Sequence, residues 1–121
     1  MVKTNVMRVL DKEKIAYEPF SYSPELTEGL KIAVVLGEDP ACVFKTLVTE
    51  SGDKEHFVFV IPVAETLDLK AAARAVGAKS VSMLKQKELL PLTGYIHGGC
   101  SPVGMKKKFK TVIDASAKGL E

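Results

Sequence analysis

Val43-Phe-Lys-Thr-Leu-Val-Thr-Glu50, Ser51-Gly-Asp-Lys54 and His56-Phe-Val-Phe-Val-Ile-Pro-Val63 follow one another with only Glu55 between the last two. β-Branched and aromatic residues fill the outer runs, and the middle one has turn chemistry, so the stretch predicts a β-hairpin. In the first strand the two-residue period puts Phe44, Thr46 and Val48 on one face. Val43, Lys45 and Leu47 take the other. A lysine on that side either carries its charge out along an apolar stem to a sheet edge or lines a pocket. In a pocket its ammonium needs an anion or a polar ligand to offset lost hydration.

Helical patterns flank the hairpin on both sides. Val6, Met7, Val9 and Leu10 share one side of a helix expected from about Lys3 to Lys14, with Thr4 or Asn5 as its cap. Pro24 and Thr27 precede a second helix, with Leu30, Ala33 and Val34 on one face and Gly37 at its end. Asp68 caps a third, containing Leu69, Ala72, Ala73 and Val76 and stopping at Gly77. Its alanine-rich face predicts close approach to a sheet. A helical turn over Lys85 to Leu90 is expected to end near Pro91. Short strands are expected over Tyr17 to Tyr22, at an edge because of Pro19, over Ser80 to Met83, and over Thr111 to Asp114. That order predicts an α+β domain with a mixed or antiparallel sheet.

A second stretch, Gly94-Tyr-Ile-His-Gly-Gly-Cys-Ser-Pro-Val-Gly-Met-Lys-Lys-Lys108, suits neither a regular helix nor a central strand. Gly98 and Gly99 let backbone approach a bulky group and leave peptide N–H and C=O groups free to meet it. Ser101 and Pro102 stiffen the exit, Gly104 allows another turn, and Lys106, Lys107 and Lys108 follow. The run is either a long turn with a solvated, edge-guarding lysine border or a cradle for a ligand with a phosphorylated end. It holds no Walker loop, dinucleotide fingerprint or serine-hydrolase elbow.

At 121 residues, with 46% apolar and 26% charged residues, the chain has the size and composition of one globular domain. A net charge of +2 implies no nucleic-acid partner by itself; clustering of the lysines has to supply one. No run nears the roughly 18 apolar residues of a membrane span. Cys42 and Cys100 lie far apart without a signal peptide, the usage of a reducing cytoplasm. His97 and Cys100 have a workable metal-ligand spacing, but Cys42 and His56 do not form a matching second pair, so no metal is expected. Cys100 is either a small apolar residue or a thiol made nucleophilic by nearby cations.

Phe44-Lys-Thr-Leu-Val48 and Gly94-Tyr-Ile-His-Gly-Gly-Cys-Ser-Pro-Val-Gly-Met-Lys-Lys107 together resemble the paired signatures of the YbaK/EbsC family. These are freestanding relatives of the editing domain inserted in bacterial prolyl-tRNA synthetases. The similarity extends to Leu36-Gly-Glu-Asp-Pro40 and Leu67-Asp-Leu-Lys-Ala-Ala72. It implies a single domain over residues 1–121, a mixed, mostly antiparallel pseudo-barrel flanked by helices, and hydrolysis of mischarged Cys-tRNA(Pro) without a cofactor or metal. Cys-tRNA(Cys) is a related substrate; the alternatives are a deacylase for another small aminoacyl group such as Ala-tRNA(Pro) and, from a different class, a non-catalytic tRNA- or synthetase-binding module.

By that resemblance Lys45 is the essential lysine, and Gly98 and Gly99 cradle the aminoacyl group. Tyr22, Thr46, Ser101, Pro102 and Cys100 line the pocket, while Lys106, Lys107 and Lys108 meet tRNA phosphates. The implied partners are the aminoacyl-tRNA acceptor end and prolyl-tRNA synthetase in a ternary complex, in the cytoplasm and away from membranes. Relatives also continue into a further strand and a Ser-Gly-Gly-Lys-Arg-Gly type loop, so the chain is expected to lack the family's C-terminal end.

Overall fold

The computed structural model describes residues 4–20, 22, 28–96 and 100–118. Strands β1 (Phe44–Ser51) and β2 (His56–Pro62) pair antiparallel, with Lys45 opposite Ile61 and Thr49 opposite Phe57. Their loop closes through Ser51 N–H to the Glu55 carbonyl at 2.8 Å. The left-handed residue there is Lys54, at φ 62°, rather than Gly52.

Around this hairpin the sheet has the order β3-β1-β2-β4. β3 (Val81–Met83) is antiparallel to β1, and β4 (Lys110–Ile113) is parallel to β2. The sheet is therefore mixed, as expected. It is also open: among the described residues β3 and β4 form two separate edges, and no barrel closes. Residues 17–20 and 22 lie in irregular chain, not in the edge strand expected there. Pro19 cannot donate to a ladder, and β3 and β4 occupy the two edges.

Four α-helices are seen among the described residues. Helix α1 (Asn5–Lys12) is capped by the Thr4 hydroxyl, which accepts from Met7 N–H at 3.2 Å. Helix α3 (Leu69–Val76) starts on the Asp68 carboxylate, which accepts from Lys70 and Ala71 N–H at 3.0 and 3.1 Å. It ends at Gly77, φ 73°, where Ala78 N–H returns to the Ala73 carbonyl. Ala72 and Ala73 of α3 pack with Phe57, Phe59 and Val81 in the main core, and Leu67, Val76 and Val112 border it. The short alanine side chains let the helix backbone lie close to the sheet.

Helix α2 (Gly29–Leu36) buries a different stripe from the one expected. Ile32 and Ala33 face inward, while Leu30 and Val34 are exposed. The phase is set by Gly29: a Cβ there would lie 2.5 Å from Val63 Cγ1. That close approach turns positions 29, 32, 33 and 36 inward, one row at helical spacing.

Helix α4 (Gln86–Thr93) runs past Pro91 instead of stopping before it. Proline removes one internal hydrogen bond. The turn beyond it survives because Thr93 is fully buried and its hydroxyl donates to the Leu89 carbonyl at 2.8 Å. No helix among the described residues is long and apolar enough to cross a membrane.

Candidate functional site

Lys45 stands near the start of β1, half-buried, on the sheet face shared with Leu47 and Thr49. β2 bonds one side of the strand along its length. On the other side, β3 pairs only with Thr49 to Ser51, and Leu84 N–H reaches the Val48 carbonyl. Among the described residues the strand is thus open beside Lys45, and the Lys45 ammonium has no hydrogen-bond or ion-pair partner. Thr46, also half-buried, points to the opposite face with Val60 as its register partner.

The glycine-rich segment leaves α4 at Gly94, whose φ of 86° ends the helix. Lys106 N–H donates to the Thr93 carbonyl at 3.0 Å, drawing the two ends of the segment together. Within it the Tyr95 hydroxyl donates to the Val103 carbonyl, and Val103 N–H donates to Ser101 Oγ at 3.1 Å. Helix α1 adds a tether, Asn5 Nδ2 to the Gly104 carbonyl at 3.0 Å. These bonds brace the described parts of the segment, residues 94–96 and 100–106, against each other and against α1.

Cys100 and Ser101 are half-buried in this loop and Pro102 is exposed. Burial pushes the Cys100 thiol above its ordinary value, and a hydrogen bond with Thr93 acts against that rise. The thiolate-favouring effect expected from the neighbouring lysines does not prevail, because lost hydration penalises the charged form more. Lys106, Lys107 and Lys108 are exposed. The aliphatic stem of Lys106 lies against Gly94, where a Cβ would come within 3.3 Å of Lys106 Cγ. Tyr22 is exposed in irregular chain. His97, Gly98 and Gly99 lie outside the described residues.

The structure thus brings Cys100, Ser101, Pro102 and the lysines into one braced loop, with Lys45 and Thr46 on a separate strand. Three contributors were not found by sequence reasoning: Asn5, Thr93 and Tyr95. For Thr93 the available signal is a hydroxyl residue at a helix end directly before glycine; Asn5, so distant in sequence, offers none.

Hollows among the described residues also lie elsewhere. One of about 290 Å³ is bordered by Glu50, His56, Leu84, Glu88, Pro91 and Leu92. Glu50 and Lys45, five positions apart on β1, point to opposite faces. The His56 ring meets the Glu50 carboxylate at 3.0 Å. Its acidic lining does not suit a phosphate. Another is an apolar hollow along α2, bordered by Leu30, Lys31, Val34 and Val35. Among the described residues no group of three or more histidine, cysteine or acidic side chains is arranged to hold a metal.

Known proteins share both the sequence and the fold. The family described as the aminoacyl-tRNA editing domain matches residues 25–121. An Enterococcus faecalis protein provisionally named Cys-tRNA(Pro)/Cys-tRNA(Cys) deacylase EbsC is 43% identical over 118 residues. The match covers 96% of this chain and 72% of that protein. The crystal structure of a hypothetical protein superposes with a TM-score of 0.82 at 22% identity, over 92% of this chain and 73% of the other. A second crystal structure, described provisionally as a trans-editing enzyme for prolyl tRNA synthetase, also gives 0.82 at 22% identity, over 99% and 78%. At that identity the two structures establish the shared fold.

Proposed function

The chain belongs to the aminoacyl-tRNA editing domain family, and on that footing we propose that it is a trans-acting deacylase that hydrolyses Cys-tRNA(Pro), with Cys-tRNA(Cys) as a related substrate. The observation that carries this reading is Lys45, a half-buried lysine without an anionic partner among the described residues, beside an open strand edge. Such a cation stabilises negative charge brought by a ligand, either a phosphate of the tRNA 3′ end or the oxyanion that develops during ester cleavage.

An aminoacyl ester is already activated, so orientation and charge stabilisation suffice without a protein nucleophile. In the proposed reaction the substrate's own thiol forms a C–S bond to its carbonyl as the C–O bond to the ribose breaks. The thiol proton passes to the departing ribose oxygen, and water then opens the thioester. Gly98 and Gly99 supply backbone around the aminoacyl group. Tyr22, Thr46, Cys100, Ser101 and Pro102 border it, and Lys106, Lys107 and Lys108 hold acceptor-end phosphates. The raised affinity of Cys100 for its proton supports a lining role over attack by that residue. The 43% identical relative carries the cysteinyl substrates in its name. A ternary complex with tRNA and prolyl-tRNA synthetase, in the cytoplasm, is part of the same proposal.

The test is deacylation of Cys-tRNA(Pro), Ala-tRNA(Pro) and Ser-tRNA(Pro) by the wild type and by Lys45→Ala, with far-UV dichroism to establish folding. Preferential cysteine release, lost in folded Lys45→Ala and retained in Cys100→Ser, is expected. Equal rates for alanine and serine would remove the substrate thiol from the mechanism. Activity that survives Lys45→Ala would sink the proposal.

A further inference from the structure

Thr93 is fully buried, although α4 exposes most of its other residues. Its hydroxyl donates to the Leu89 carbonyl at 2.8 Å and accepts from Tyr95 N–H at 3.1 Å. Its backbone carbonyl accepts from Lys106 N–H at 3.0 Å. One residue therefore secures the last turn of α4, the entry to the glycine-rich loop, and its exit at the first of the three consecutive lysines.

A threonine needed only to complete a helix would satisfy its hydroxyl on the carbonyl four residues back. The bond from Tyr95 N–H to the hydroxyl is in excess of that need, and the bond from Lys106 N–H to the backbone carbonyl ties the far end of the same loop to the same residue. We infer that Thr93 is a positioning residue for the aminoacyl pocket, fixing the loop wall against which the amino-acid side chain is measured. This inference rests on the deacylase reading for its functional consequence, though not for its structural one. Thr93 itself does not touch the reacting ester; it acts through the loop. The described residues on either side are thereby held at Tyr95 and Lys106, and a misplacement of about 1 Å in a substrate-positioning group is enough to change rates up to a hundredfold.

The experiment uses the full chain in a Cys42→Ser background, so that Cys100 is the one remaining thiol. Thr93→Val removes the hydroxyl at nearly constant volume, and Thr93→Ser keeps it. Thr93→Ala leaves space for water to reach Tyr95 N–H and the Leu89 carbonyl, and serves where the valine variant does not fold. Two quantities are read below the unfolding midpoint: the pH-independent limiting rate of Cys100 alkylation by iodoacetamide, which reports access to the sulfur and not its thiolate fraction, and the ratio of Cys-tRNA(Pro) to Ala-tRNA(Pro) deacylation.

Faster alkylation and a cysteine-to-alanine ratio reduced roughly tenfold are expected for the valine or alanine variant, with serine near wild type. A lower midpoint with both quantities unchanged means a purely structural threonine and overturns the inference. Unchanged alkylation overturns it even if the wild type deacylates neither ester, so failure of the deacylase reading is distinguished from failure of this one.

Discussion

Asn5 Nδ2 donates to the Gly104 carbonyl at 3.0 Å, joining residues 99 positions apart. Helix α1 has no fully buried residue; Val6, Met7, Val9 and Leu10 are only half-covered. This bond is therefore a specific polar link between a loosely packed helix and the braced loop. Gly104 makes it possible by adopting φ 76°, with space for a hydrogen where any side chain would meet Asn5.

Gly104→Ala should be the more damaging change at this junction. The added Cβ would stand 2.5 Å from Asn5 Nδ2, in a conformation that L side chains rarely adopt. A loss of about 1–3 kcal/mol is expected in urea unfolding. Asn5→Ala should cost about 1 kcal/mol. In the double variant the losses should be less than additive, since Asn5→Ala also removes the obstacle.

Cys100 should titrate above an ordinary thiol. Burial favours its neutral form in the fold, so the contribution to stability is complete below the ordinary value of 9.0. It is lost as pH rises through the raised folded value. Alkylation of Cys100, read with Cys42 replaced by serine, should therefore reach half-maximal rate at higher pH in the folded protein than in the urea-unfolded chain. Cys100→Ser should abolish the corresponding alkaline loss of stability; an identical pH profile for Cys100 in the folded and unfolded chain would contradict the burial argument.

Lys107 and Lys108 are exposed, and no partner constrains them among the described residues. Lys107→Gln with Lys108→Gln should leave the unfolding midpoint within about 0.5 kcal/mol of wild type. Affinity for the tRNA acceptor end should fall, and the slope of log K against log salt should shrink by about 0.7 for each single-strand phosphate no longer neutralised. KM should rise with kcat unchanged. A slope equal to that of wild type would place the phosphate-binding groups elsewhere.

Ala73 is 4% exposed, between α3 and the sheet. Ala73→Leu should cost about 1–3 kcal/mol through overpacking, because the helix has to move off Phe57 and Phe59. Asp68→Ala, which only removes the cap of the same helix, should cost about 1 kcal/mol. Thermal denaturation of both variants orders the two effects.

Local chemistry was sufficient for much of this protein. The hairpin, the caps Thr4 and Asp68, and the helix ends at Gly37 and Gly77 depend on neighbours only a few residues away. Those interactions are written in the sequence itself. The start of the glycine-rich segment at Gly94 was legible for the same reason, and the paired motifs around Lys45 and Gly94 pointed to the family that comparison then established. What local pattern did not contain was decided by packing. Helix α2 is apolar on nearly all sides, so only Gly29 against Val63 selected its buried stripe. Helix α4 crosses Pro91 because a buried Thr93 holds the turn beyond it. The parallel placement of β4 beside β2, and the bond from Asn5 to Gly104, join segments far apart in the chain. Periodicity records which residues share a face of one element; which other element that face meets is settled only when the chain has closed on itself.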